Sequence, residues 1–145
     1  MQIQISEGVR SALIVEDEGL VAMMMEDLLE DMGVGQVHTC TDLQSALHAA
    51  RTATIDCAVL DLWLRGESVL PVADILAERG IPFIFSTGSD AQDIAERHAH
   101  RPMISKPFAD DDFRLILLDT MTLHRHQTEP AEWAAGRVAP FGATD

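Results

Sequence analysis

Basic residues are scarce in this chain. Of 145 residues, 10 are Lys or Arg against 24 Asp or Glu, a formal net charge of −14. A general nucleic-acid binder needs a basic face to displace counterions, so that class is disfavoured. Anionic membrane surfaces are disfavoured for the same reason. Basic partners or a bound cation suit this charge better. Cysteine is also scarce. Cys40 and Cys57 are the two present. They make no disulfide scaffold, and their spacing lacks the CxxC pattern of zinc and redox sites. Apolar runs stay short of the ~18–20 residues of a membrane span. The opening MQIQISEGVR contains Arg10 but no hydrophobic stretch, so it does not read as a signal peptide. These absences predict a cytoplasmic protein without nucleic-acid or membrane partners.

What is present is enough apolar material for a core, at 47% of the chain. The length predicts one domain. Short apolar runs alternate with helical patterns. Ala12–Val15 reads as a buried strand ending at Glu16-Asp17-Glu18. Leu20 to Met32 reads as an amphipathic helix, with Leu20, Met24, Leu28 and Met32 at fourfold spacing and Ala22, Met25 and Leu29 widening the stripe. Gln36–Cys40 can form a second strand. Thr41 or Asp42 can cap a helix to about Arg51. Ile55–Leu60 predicts a third strand ending on Asp61, and Gly66 falls in the loop after it. A helix from Val69 or Pro71 to Glu78 follows, with Pro71 tolerable only in its first turn. Pro82–Ser86 predicts a fourth strand, before Thr87-Gly88. Asp90 can cap a weak helix over Ala91–His98, whose apolar face is thin. Pro102–Ser105 predicts the last strand, and Asp110 to Leu123 the closing helix.

Five strand–helix alternations predict a single doubly wound (βα)5 domain of the α/β class. Residues 1–9 read as an N-terminal extension and 124–145 as an irregular tail without an effector domain. In such sheets functional groups gather beyond the carboxyl ends of the strands. That places Glu16, Asp17 and Glu18, then Asp61, Thr87 and Lys106, at one edge. Crowded carboxylates repel one another unless a cation joins them. Hard oxygen donors suit Mg²⁺. One carboxylate could instead attack phosphorus, with Lys106 and a metal neutralising the charge that builds on the phosphoryl oxygens. Each feature alone has a bland reading: a helix cap, a solvated turn, a plain strand end. Their shared edge favours function.

Four segments in order, LIVEDE at 13–18, VLDLWL at 59–64, FSTG at 85–88 and SKPF at 105–108, resemble the receiver domain of bacterial two-component response regulators. The resemblance spans residues 10 to about 123. It implies a parallel five-stranded sheet in flavodoxin-like order 2-1-3-4-5. It implies that Asp61 accepts a phosphoryl group from a histidine kinase or phosphotransfer protein. Glu16, Asp17, Asp61 and the Trp63 backbone carbonyl would hold Mg²⁺. Thr87 would be the switch hydroxyl and Lys106 its partner cation, with Lys106–Pro107 cis. Family members carry Tyr or Phe three residues before that lysine, where this chain has Met103 and no tyrosine anywhere. Met103 would therefore take the second switch position. Residues 66–88 further resemble single-domain alphaproteobacterial regulators with a Phe-Ala-Thr-Gly-aromatic motif, here Phe85-Ser86-Thr87-Gly88-Ser89.

The resemblance predicts a phosphoacceptor regulator, not a metabolic enzyme, working through a downstream protein partner as monomer or weak homodimer. A non-phosphorylated docking module that controls a kinase is the alternative. An aspartate-nucleophile phosphatase fits poorly, because Trp63 stands where a second acid would be needed. Met23 lies on the first helix, a docking surface in receivers. Trp63 could pack its loop or meet a partner. The histidines, His98 and His100 included, read as solvated surface, and Cys57 as a small buried hydrophobe. Trp133 could fold back or mediate self-association.

Overall fold

The structure, a computed structural model, describes residues 9–88 and 94–128, the last four by backbone alone. Strand β1 is Ser11–Val15 and helix α1 Gly19–Asp31. They are followed by β2 (Gln36–Cys40), α2 (Leu43–Thr52) and β3 (Cys57–Asp61). Two short strands, β4 (Trp63–Leu64) and β5 (Glu67–Ser68), precede α3 (Leu70–Glu78). The remainder is β6 (Phe83–Thr87), a 3-10 turn over Glu96–His98, β7 (Met103–Ser105) and α4 (Asp110–Thr128). The main sheet is wholly parallel in the order β2-β1-β3-β6-β7, as expected for a flavodoxin-like fold.

Strand periodicity divides the core between the two faces of the sheet. Leu13, Leu60, Phe83 and Phe85 pack with Ala46, Ala50 and Leu76 under α2 and α3. Ala12, Ile14, Val59 and Ile84 pack with Met25, Leu29, Phe113 and Leu117 under α1 and α4. With both faces covered, central strands read as unbroken apolar runs. Asp42 caps α2 by accepting a hydrogen bond from the Ser45 amide at 2.8 Å. Pro71 sits in the first turn of α3, as required of it. Among the described residues no helix is long and apolar enough to cross a membrane.

The structure departs from the expected elements in several places. Leu20 is 83% exposed, so it does not open the buried stripe of α1; Ala22, Met25, Leu28 and Leu29 form that face. The loop after β3 holds a β4–β5 hairpin, pairing Trp63 with Ser68 and Leu64 with Glu67. Its two loop residues, Arg65 and Gly66, have φ of 52° and 83°, the combination a two-residue I′ turn requires. The weak helix expected over 91–98 does not form through Ile94 and Ala95; a 3-10 turn begins at Glu96, and 89–93 lie outside the described residues. Its thin apolar face had little to bury. The closing helix continues past Leu123 to Thr128, so the expected tail starts helical. Trp133 lies outside the described residues.

Candidate functional site at the carboxyl edge of the sheet

Each site residue sits at or just past a strand end. Val15 ends β1, and Glu16 follows it, held in line with the sheet by its amide's bond to the Cys40 carbonyl. Asp61 ends the central β3 and Thr87 ends β6. Lys106 follows β7, and its amide donates to the Thr87 carbonyl at 2.7 Å. The Lys106–Pro107 bond is cis, as expected.

Three carboxylates meet at this edge. Glu16, Asp17 and Asp61 each offer an oxygen within 4.8 Å of the others. Glu16 is fully buried and Asp61 6% exposed. The Lys106 ammonium bridges them, 3.2 Å from Glu16 Oε1 and 3.3 Å from Asp61 Oδ2. It also reaches Glu18 Oε1 at 3.1 Å. Backbone amides orient the acids. Glu18 N–H donates to Glu16 Oε2, Arg65 N–H to Asp17 Oδ2, and Trp63 N–H approaches Asp61 Oδ1 at 3.4 Å. The unforeseen hairpin thus anchors Asp17 through its positive-φ residue.

Charge and burial oppose each other here. Burial raises the Glu16 pKa to about 7, against a hydrogen bond from Glu18, with the Asp61 charge adding to the rise. Burial also raises Asp61, with Lys106 pulling it down. For Lys106, burial disfavours the charge, but the Glu18 hydrogen bond and the Asp61 and Glu16 charges outweigh it and raise its pKa. One ammonium therefore serves a group of acids that outnumbers it. The donor set is all hard oxygen, and it is arranged to accept a divalent cation.

The structure brings Glu16, Asp17, Asp61 and Lys106 together and places Thr87, 2% exposed, at the same edge. Met103 pairs in register with Phe85 and packs half-buried against the α2–α3 face of the core. Trp63 is 41% exposed in β4, and Met23 is 59% exposed. Cys57 is buried, as read. His98 is a correction: it is buried, not solvated. Its Nε2 lies 2.8 Å from Asp74, which also pairs with Arg97, and its ring meets Phe83 and Phe85 edge-on. An isolated histidine gives no sequence signal of this kind, since its partner lies 24 residues away on another helix.

Comparison with known proteins agrees with this geometry. The response regulator receiver domain model matches residues 12–118. The chain belongs to that family. It is similar to SdrG from Sphingomonas melonis Fr1, with 40% identity, 81% of this chain and 99% of that one covered, and a TM-score of 0.71. The receiver domain of the PhyR response regulator of Erythrobacter litoralis is 26% identical, over 79% and 92% of the chains, with a TM-score of 0.70. The transcriptional regulatory protein PdtaR of Mycobacterium tuberculosis is 27% identical over 107 residues, 71% of this chain. The chain spans about half the length of these curated relatives.

Proposed function

We propose that this chain is a phosphoacceptor in a two-component phosphorelay, with Asp61 as the acceptor. The observation that carries this reading is a buried carboxylate on the central strand, set among two further acids within 4.8 Å and touched by Lys106. An Asp61 oxygen attacks the phosphorus of a phosphohistidine on a sensor kinase or phosphotransfer protein. The O–P bond forms as the histidine N–P bond breaks, giving an acyl phosphate. Lys106 stays beside Asp61 and offsets charge on the phosphoryl oxygens, and the Thr87 hydroxyl donates to one of them. Glu16, Asp17, Asp61 and the Trp63 carbonyl would hold Mg²⁺. Bound there, the metal supplies charge neutralisation at the phosphoryl oxygens.

Phosphorylation then shifts the balance between two conformers, with Thr87 and Met103 as the switch positions. Met103 packs with the Phe85 layer, so its flexible side chain can refill space that Thr87 vacates. Output goes through contact with a protein partner, which suits an acidic chain better than nucleic acid does. The run Phe85-Ser86-Thr87-Gly88 within residues 66–88 is what supports reading the chain as a relative of single-domain alphaproteobacterial regulators, and it departs from their motif at Ser86 and Ser89.

The test is intact mass after incubation with Mg²⁺ and a small acyl-phosphate donor. One labile phosphoryl group should be gained, and none in Asp61→Asn or with chelator. An unlabelled protein, where a control receiver is labelled and the cognate-type kinase also fails, would leave the docking module as the better reading.

A further inference from the structure

Ser86 is fully buried, and among the described residues its hydroxyl has no hydrogen-bond partner. Its backbone is accounted for. The carbonyl accepts from the Leu62 amide at 3.0 Å, and the residue pairs in register with Asp61 on one side and Ile104 on the other. The hydroxyl alone is left over. A buried, unpaired polar group is destabilising, and an alanine there would carry no such penalty. Strand alternation shows what the hydroxyl faces. Phe83 and Phe85 pack under α2 and α3, and Ile84 under α1 and α4. Ser86 lies on the Ile84 face, and Asp61 lies on the same face, two residues after Val59. Adjacent strands run roughly 4.8 Å apart, so the two side chains are neighbours. Ile94, the first described residue after Gly88, packs on the other face. Lys106 crosses the same ground as Ser86. A Cβ on Gly88 would meet its Cε at 3.9 Å, so its stem lies over the end of β6, in line with Ser86. Its ammonium touches four carboxylate oxygens, on Glu16, Glu18 and Asp61, at 3.1–3.3 Å. Charge-assisted bonds are usually ~2.7–2.9 Å. Three donors are stretched over four acceptors.

We propose that Ser86 is a positioning residue for Lys106, its hydroxyl accepting a hydrogen bond from the ammonium once a divalent cation occupies the three carboxylates. The inference rests on the metal reading of Glu16, Asp17 and Asp61. Added positive charge among those acids repels the ammonium and takes up oxygens it had shared. An N–H donor is then released in a buried site and needs an acceptor. Ser86 Oγ is the buried, unused acceptor next in line after Asp61. The metal-free protein carries an orphan hydroxyl and the occupied one does not, so the serine favours the occupied site.

The test titrates Mg²⁺, against KCl at matched ionic strength, into the full natural chain, Ser86→Ala, Lys106→Met and the double variant. Backbone amide resonances of Trp63 and Arg65 report binding, and the Lys106 Hε resonances report the surroundings of the ammonium. Ser86→Ala should weaken Mg²⁺ binding by about tenfold and reduce the Lys106 shift. Without metal, the same variant should melt about 2–4 °C higher, because the orphan hydroxyl is gone. A merely structural serine would move stability and leave affinity alone. In the Lys106→Met background, Ser86→Ala should change affinity by less than about twofold. An equal effect in both backgrounds would give the hydroxyl to a carboxylate and overturn the proposal. So would unchanged affinity in Ser86→Ala, or a metal-free melting temperature that does not rise. A natural chain without a saturable Mg²⁺ response would instead overturn the metal reading, and this inference with it. If Lys106→Met does not fold, Ser86→Ala decides alone, by its affinity against its metal-free stability.

Discussion

Glu16 is where folding and function pull in opposite directions. A carboxyl group with an ordinary value of 4.5 is held at about 7 by burial. The folded state therefore keeps a proton that the unfolded chain has released between those two values. Stability is greatest below 4.5 and falls as pH rises through 7. The pKa rise corresponds to an effect on the order of 3 kcal/mol. Urea unfolding of the metal-free protein at several pH values should show this decline, and Glu16→Gln should flatten it. A slope unchanged in the variant would mean that another group titrates. Stability stored against function in this way is usual at reactive sites, where like charges are crowded for chemistry.

At the scale of elements, the test lies in which face of each helix is buried. Leu20 and Leu28 occur in the same fourfold series, yet one is 83% exposed and the other 4%. Leu28→Ala should cost ~2–5 kcal/mol in equilibrium denaturation. Leu20→Ser should stay within about 0.5 kcal/mol. The reverse order would mean that α1 is rotated. The turn at Glu96–His98 depends on polar anchoring instead. Hydrogen bonds from Arg97, then His98, hold the Asp74 carboxyl at about 2, below its ordinary 3.8. That contribution is present above 3.8 and is lost as pH falls through 2. Asp74 is substantially exposed, so its ion pair with Arg97 adds little. Asp74→Asn should cost about 1–2 kcal/mol in urea unfolding at pH 7, mainly through the buried His98 ring. No loss would mean that His98 finds another acceptor. These contrasts mark what was legible. Buried parallel strands announce themselves as apolar runs, and their ends located Glu16, Asp17, Asp61, Thr87 and Lys106. The rotation of α1 depends on which neighbours it meets, and a two-residue strand is too short for periodicity. The burial of His98 depends on Asp74 and two phenylalanines distant in sequence.

At the scale of the whole molecule, a net charge of −14 means that any salt will relieve self-repulsion and raise stability somewhat. A divalent ion seated at one place does more, because binding only the folded state stabilises it by mass action, about 2.7 kcal/mol at a hundred times the dissociation constant. The two effects separate by comparison. MgCl₂ should raise the melting temperature above that in KCl of matched ionic strength. The excess should disappear in Glu16→Gln and in Asp61→Asn, while the general salt response remains in both. Thermal unfolding of the three proteins in the two salts measures this directly. Equal shifts in the natural chain would make the cation response diffuse and set the three-carboxylate site aside. An excess that survives both variants would place the binding elsewhere among the surface acids. The specific result would join the site to the fold, since the three carboxylates sit at or just past the ends of the paired strands β1 and β3.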